Sequence, residues 1–164
     1  MRAATMPGSR LAKLAVVAII PELLAGSAGS FATIPNIPVW YAGLAKPWFN
    51  PPNQVFGPAW TLLYLMMAIA FFRILRAAPS QPGRAAAIAV FLVQVSLNSA
   101  WSWVFFAGHN PAGGLAVIAA LLAMIATTIV AFARLDAIAA WCLAPYLAWV
   151  GFAGLLNLAI YRMN

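Results

Sequence analysis

Long apolar runs separated by short polar breaks make up most of the chain. The hydrocarbon core of a bilayer is about 30 Å thick, and a helix needs roughly 20 apolar residues to cross it. The pattern predicts five transmembrane helices, at about residues 11–31, 55–72, 85–107, 113–133 and 137–161. The fold class that follows is all-α: a polytopic five-helix membrane bundle, with residues 1–164 forming a single membrane domain.

A segment rich in aromatic residues and proline lies between the first two runs. Residues 40–64 read WYAGLAKPWFNPPNQVFGPAWTLLY. Aromatic rings offer flat binding surfaces, and proline restricts the shapes that a loop can adopt. We therefore predict an aromatic loop over about residues 34–54 that acts as a lid over a pocket for a flat, apolar ligand.

Composition supports a membrane protein and narrows the possible chemistry. Hydrophobic residues make up 65% of the 164 residues and charged residues 7%, which is more apolar area than a soluble domain of this size can bury. The net charge of +7 comes from basic residues scattered near the ends of the runs, so no nucleic-acid partner is expected. Cys142 is the single cysteine, and no metal-site or haem-ligand motif occurs. We expect neither a metal nor a resident cofactor.

The distribution of basic residues predicts the orientation in the membrane. Two of the nine, Lys46 and Arg162, lie on the side of the aromatic loop. The other seven lie on the side of the N-terminus: Arg2, Arg10, Lys13, Arg73, Arg76, Arg84 and Arg134. Because basic residues concentrate in inside loops, we expect an inside N-terminus and an outside C-terminus.

Helical spacing places polar and aromatic residues on shared faces of three predicted helices. These residues are Trp60, Tyr64, Met67 and Phe71 in the second helix, Gln94, Asn98, Trp101 and Phe105 in the third, and Tyr146, Trp149, Ala153 and Asn157 in the fifth. Two interpretations are open. The aromatic residues can form interfacial belts while the asparagines hydrogen-bond between helices, or the three faces can enclose a pocket. The joint pattern favours the pocket.

The first predicted helix carries one acidic residue, Glu22. An intramembrane carboxyl group is a candidate for proton-coupled transport, and a protonated glutamate bonded to a neighbouring helix explains it equally well. Small residues on the first and third helices allow close approach of a second copy, which predicts a homodimer. These residues are Gly26, Gly29, Ser30, Ala85 and Ala89.

Four motifs, in this order, resemble the translocator protein / tryptophan-rich sensory protein family (TspO/MBR, also called peripheral-type benzodiazepine receptor). They are WYAGLAKPWFNPP at 40–52, FGPAWTLLY at 56–64, QVSLNSAWSWVFF at 94–106 and APYLAWVGFAGLLN at 144–157. The resemblance covers about residues 17–164. It implies a five-helix bundle, often a homodimer, that binds porphyrins or other tetrapyrroles beneath its first loop and, in some members, sterols or benzodiazepine-type drugs.

The resemblance also implies which residues contact the ligand. With Tyr64 added from the helical pattern, they are Trp48, Phe49, Asn50, Pro51, Trp60, Tyr64, Asn98, Trp101, Trp149, Ala153 and Leu156. Some bacterial members are associated with light-dependent porphyrin degradation, for which the candidate catalytic residues here are Trp60 and Trp149. The tyrosine of the animal sterol motif is replaced by Leu158, so high-affinity cholesterol binding is not expected.

Three functions follow as hypotheses. The first is a receptor or transporter-like protein that binds tetrapyrroles and serves a sensory or homeostatic role. The second is a light-dependent enzyme that degrades bound porphyrin, although no conventional catalytic motif is present. The third is a proton-coupled carrier of small molecules that uses Glu22. We expect the first.

Overall fold

A computed structural model describes residues 7–164, and in this part of the chain five helical segments are long and apolar enough to span a membrane. The all-α fold and the five spans predicted from the sequence are therefore confirmed. Arg2, which entered the count of basic residues, lies outside the described residues. The helices are α1 (Gly8–Thr33), α2 (Asn53–Arg76), α3 (Arg84–Ser102), α4 (Pro111–Ala133), α5 (Ala137–Cys142) and α6 (Ala144–Met163), the last two together forming the fifth span.

Local chemistry explains where the later helices begin. The side chain of Asn110 accepts a hydrogen bond from the backbone N–H of Gly113 at 2.8 Å, and Pro111 occupies the first turn of α4, where its missing N–H is not needed. The side chain of Asp136 accepts from the N–H of Ala139 at 3.0 Å and so caps α5. Both breaks lie where the sequence predicted them.

The first span is longer than predicted, and the aromatic loop predicted over 34–54 therefore begins too early. After Thr33 the chain continues as a 3₁₀ turn, Ile34–Asn36, and a π-helical turn, Ile37–Tyr41. Pro35 and Pro38 lie at the starts of these turns, where the hydrogen-bond register changes and their missing N–H groups are tolerated. The helical run ends at residue 43, which leaves residues 44–52 as the aromatic loop.

The two ends of the bundle differ in packing. We call the end that carries Arg73, Arg84 and Asp136 the basic end, and the end that carries the aromatic loop the loop end. Towards the basic end the rings of Phe71, Phe91 and Phe132 stack across α2, α3 and α4, with successive centroids 4.4 and 5.6 Å apart. All three rings are buried, so the bundle is closed there.

Two glycines in the predicted dimer surface face the chain's own helices instead. A Cβ atom at Gly26 would lie 3.1 Å from the Tyr64 ring, and one at Gly29 would lie 3.1 Å from the hydroxyl of Ser102. The prediction that these glycines contact a second copy is wrong, because they allow α1 to pack closely on α2 and α3. Ala85 and Ala89, in contrast, are exposed on α3.

An ion pair ties α2 to the connection between α4 and α5. Arg73 Nη2 lies 2.8 Å from Asp136 Oδ2, and the two side chains are 29% and 23% exposed. Burial raises the pKa of Asp136, but the hydrogen bond from Arg73 and the backbone N–H groups at the start of α5 outweigh it and leave that pKa below its usual value. The carboxylate therefore stabilises the fold through both a helix cap and a salt bridge.

We expect Asp136→Ala to lower the thermal stability of the protein more than Asp136→Asn. Loss of the cap costs about 1 kcal/mol, which asparagine avoids because it caps equally well. Loss of the partly exposed salt bridge costs at most about 1 kcal/mol in either variant. Because the folded-state pKa is depressed, the salt bridge contributes above the unfolded value of about 4 and is lost as the pH falls through the folded value.

Thermal unfolding in detergent, from pH 7 down to about pH 2, measures both effects. Wild type and Asp136→Asn should converge as the carboxyl group is protonated. Equal losses in the alanine and asparagine variants would contradict the capping role, and a constant difference between wild type and Asp136→Asn would contradict the ion pair.

Candidate functional site

A cavity of about 440 Å³ lies in the loop end of the bundle. Its walls come from α1 and its extension, α2, α3 with its π-helical turn at Trp103–Ala107, α4 and α6. This volume is within the range of about 300–1,000 Å³ that is typical of small-ligand sites. None of its lining residues is charged.

Most of the predicted site residues meet in this cavity. Helical spacing had placed all of them except Leu156, which the resemblance added, on separate faces of α2, α3 and α6, and the structure turns these faces towards one another. The predicted residues that line the cavity are Trp60, Tyr64, Asn98, Trp101, Trp149, Ala153 and Leu156. Their contact with a ligand remains a prediction, but their common location is a structural fact.

The four predicted residues of the aromatic loop, Trp48, Phe49, Asn50 and Pro51, are not among the residues that line the cavity. Trp48 is 94% exposed and packs edge-on against Phe49, whose ring lies 6.4 Å from that of Phe152. Asn50 accepts a hydrogen bond from the hydroxyl of Tyr41 at 3.1 Å. The four loop residues therefore lie outside the cavity wall.

The aromatic loop is also held by the end of the chain. The side chain of Asn164 accepts a hydrogen bond from the N–H of Ala45 at 2.9 Å and donates one to the carbonyl of Ala45 at 3.1 Å. This attachment fixes one end of the loop against α6. Contact between the loop residues and a bound ligand stays a prediction.

Sequence reasoning missed the contribution of the first span's extension. Ile34, Ile37 and Tyr41 line the cavity, but they fell within the segment that was expected to be loop. Phe56 on α2 was also missed as a wall residue, although it precedes Trp60 by four positions and so shares its helical face. Extending the helical face of Trp60 by one turn towards the start of α2 would have identified Phe56.

Two asparagines hydrogen-bond between helices at the cavity. The hydroxyl of Tyr64 donates to Asn98 Oδ1 at 2.9 Å, and Asn98 Nδ2 donates to the hydroxyl of Tyr146 at 3.0 Å. The indole N–H of Trp101 donates to Asn157 Oδ1 at 3.1 Å, and Asn157 Nδ2 donates to the carbonyl of Pro111 at 2.8 Å. Both interpretations of these asparagines therefore hold, because they join helices and line the cavity.

The ring of Trp101 is fixed on several sides. It stacks on Phe105 with centroids 5.1 Å apart and an interplanar angle of 18°. A Cβ atom at Gly114 of α4 would lie 2.6 Å from Asn157 Oδ1 and 3.3 Å from the indole nitrogen of Trp101, so the close approach of α4 requires glycine. This wall of the cavity is a rigid aromatic surface.

The polar groups of the cavity are the hydroxyl, amide and indole groups of neutral side chains. Within residues 7–164 no group of three or more His, Cys, Asp and Glu side chains is placed to hold a metal ion. His109 is exposed; its ring stacks on Trp40 with centroids 4.7 Å apart, and its Nε2 lies 2.9 Å from Asn36 Oδ1. The arrangement can bind an apolar ligand by stacking and orient it through hydroxyl, amide and indole groups.

Comparisons with known proteins agree with the geometry. The family model described as "TspO/MBR family" matches residues 17–162. The "Tryptophan-rich protein TspO" of Archaeoglobus fulgidus is 42% identical over 149 residues, which covers 91% of this chain and 95% of that protein.

More distant relatives extend the likeness to animals. The "Tryptophan-rich sensory protein" of Cereibacter sphaeroides is 38% identical over 125 residues, covering 76% of this chain and 77% of that protein. The human "Translocator protein" is 33% identical over 126 residues, covering 76% of this chain and 75% of that protein. With its five apolar helices and its family match over most of its length, the chain is an integral, multi-pass membrane protein that belongs to the TspO/MBR family.

Proposed function

We propose that this protein binds a porphyrin or another flat, acidic tetrapyrrole in the cavity and acts as a receptor or transporter-like protein in tetrapyrrole sensing or homeostasis. One observation carries the proposal: Trp60, Trp101 and Trp149 line a single uncharged cavity in the membrane bundle. Aromatic faces stack favourably on a planar conjugated ring. The names of two relatives, a sensory protein and a translocator protein, support a role in sensing or moving a ligand.

The chemistry of the cavity matches the parts of such a ligand. The tryptophan rings suit the apolar faces of a macrocycle, and the hydroxyl and amide groups of Tyr64 and Asn98 suit its polar centre or edge. A cation lies close to the cavity wall, since Lys46 Nζ sits 4.6 Å from the centroid of the Tyr41 ring and Tyr41 lines the cavity. The acidic side chains of a porphyrin would therefore point towards the loop end.

We expect Trp60→Ala and Trp149→Ala each to weaken porphyrin binding. Stacking on an aromatic side chain is worth about 1–3 kcal/mol, which corresponds to a loss of roughly 5- to 150-fold in affinity. Titration of the purified protein, followed by the absorbance of the porphyrin, measures this loss without relying on tryptophan fluorescence. Trp141→Ala is a matched control, because Trp141 is 75% exposed and is not among the cavity-lining residues, and its affinity should match wild type. A folded double variant of Trp60 and Trp149 with unchanged affinity would refute the proposed site.

The same variants separate the carrier from the alternative, a light-dependent enzyme that degrades the porphyrin. That alternative is supported by the presence of Trp60 and Trp149 in one cavity, where both indoles can contact the macrocycle. Trp→Phe substitutions keep an aromatic face and remove the more easily oxidised indole. If the enzyme function is correct, these variants should keep most of the binding and lose illuminated turnover. Equal turnover in the phenylalanine variants would exclude these two indoles as electron donors.

We also propose an inside N-terminus and an outside C-terminus, in a bacterial cell membrane. Arg73, Arg84 and Arg134 all lie at the basic end, opposite the aromatic loop with Lys46. The bias of basic residues towards inside loops orients the bundle accordingly. Reporter enzymes fused to either terminus report the side on which each lies, and a C-terminal reporter that is active only in the cytoplasm would contradict this orientation.

We also propose that the protein forms a homodimer through α3. Ala85 and Ala89 are one helical turn apart and exposed, so a second helix can approach their backbone closely. We expect Ala89→Leu to shift the protein towards a monomer, as measured by light scattering in detergent. Ala123→Leu is the matched control, because it adds the same bulk at an exposed position on α4 and should leave the oligomeric state unchanged. A monomeric wild-type protein would contradict the dimer.

A further inference from the structure

Two buried polar side chains of the bundle have no hydrogen-bond partner. Glu22 on α1 is 3% exposed and Gln94 on α3 is 0% exposed. Both carboxyl oxygens of Glu22, and both the amide nitrogen and oxygen of Gln94, are unpaired. Unpaired polar groups are costly in an apolar interior and are rare in folded proteins. An unpaired carboxyl group in an apolar interior favours its neutral, protonated form, because an isolated buried charge is far more costly than a neutral group.

The register of the helices places these side chains at one level. Gly26, one turn after Glu22 on the same face, meets the ring of Tyr64, and the Tyr64 hydroxyl bonds to Asn98. Asn98 is one turn after Gln94 on α3, a helix that packs against α1. Glu22 and Gln94 therefore lie one turn below Gly26, Tyr64 and Asn98, which line the cavity.

Among the described residues, the basic side chains of the helices that pack against α1 lie towards the basic end. Tyr64 of α2 lies one turn above Glu22, and α3 carries the neutral Gln94 at the level of Glu22. Arg73 lies about 8 Å below that level along α2 and is paired with Asp136, and Arg84 precedes Gln94 by ten positions, or about 15 Å. An ionised Glu22 would have no paired counter-charge, whereas a protonated Glu22 is neutral and carries an O–H donor at the level of the unpaired Gln94.

We propose that Glu22, supported by Gln94, is a proton-binding site that is coupled to the binding of an anionic ligand in the cavity. This inference rests on the proposed function, because the carboxylates of the ligand supply the second negative charge. An ionised Glu22 repels that charge and a protonated Glu22 does not, so the ligand binds more tightly to the protonated protein. By linkage, ligand binding must then draw a proton from solvent onto Glu22.

The expected size of the coupling follows from Coulomb's law. The ligand carboxylates lie at the loop end near Tyr41 and Lys46, and Tyr41 follows Glu22 by nineteen positions, or about 28 Å along the first span. With an effective dielectric constant of about 20, repulsion by an ionised Glu22 corresponds to roughly a threefold change in affinity for each carboxylate, and so to roughly tenfold for two. Affinity for an anionic ligand should therefore fall by about this factor as Glu22 loses its proton.

The test compares protoporphyrin IX, a dicarboxylate, with its uncharged dimethyl ester between about pH 6 and pH 8.5. The porphyrin carboxyl groups, with ordinary pKa values near 4–5, stay ionised over this range. The wild-type protein should lose roughly tenfold in affinity for the diacid as the pH rises and should bind the ester independently of pH. The Glu22→Gln variant should bind the diacid with an affinity that does not change with pH.

His109→Gln is the matched control. His109 is the single histidine of the chain and lies on the turn before α4, away from Glu22. This variant should keep the wild-type dependence. A pH dependence that is absent in wild type, or equal in wild type and Glu22→Gln, would overturn the coupling, while failure of both porphyrins to bind at any pH would refute the proposed function instead.

Infrared spectroscopy of the ligand-free wild-type protein tests the proton site by itself. A protonated carboxyl group has a C=O stretch that a carboxylate lacks, and Glu22 should show it at about pH 6, where exposed carboxyl groups are ionised. The band should be missing from Glu22→Gln and retained in Asp136→Asn. If the folded wild-type protein shows no such band at this pH, Glu22 is not a proton site, whatever ligand the cavity binds.

Discussion

The aromatic cavity depends on the hydrogen bonds that Asn98 and Asn157 make between helices. In lipid the hydrophobic effect does not drive one apolar helix against another, so packing and interhelical polar bonds must define the arrangement, each bond contributing about 0.6–2 kcal/mol. Asn98 links α2, α3 and α6, and Asn157 links α3, α6 and the start of α4. The cavity is the space that these contacts enclose.

The same contacts hold the walls of the cavity in a fixed shape. Trp101 is held by its bond to Asn157 and by stacking on Phe105, and the missing side chain of Gly114 makes room for both. A wall that is ordered before the ligand arrives loses little conformational entropy on binding. None of the lining residues is charged; outside the cavity, Lys46 lies against Tyr41 at the loop end, and Glu22 lies one turn below the cavity.

Much of the fold follows from the sequence because lipid imposes a strong rule: each span must be a long apolar helix. The same periodicity correctly placed Trp60, Asn98 and Trp149 on faces that meet in one cavity. The predictions were wrong where a local sequence pattern is compatible with more than one structure. The predicted loop began at residue 34, but a change of winding at Pro35 and Pro38 carries the first span onwards and shortens the aromatic loop. Small residues such as Gly29 indicate that another helix packs closely, but not which helix it is. Here it is α3 of the same chain.

The most direct test of the central claim is a structure of the protein with a bound porphyrin, by crystallography or electron microscopy in a lipid environment. We predict that the macrocycle lies in the cavity with its faces in van der Waals contact with Trp60 and Trp149, and with its carboxylates towards the loop end and Lys46. A porphyrin found instead on the lipid-facing surface, or against the exposed Trp48 outside the cavity, would contradict the assignment of this cavity as the binding site.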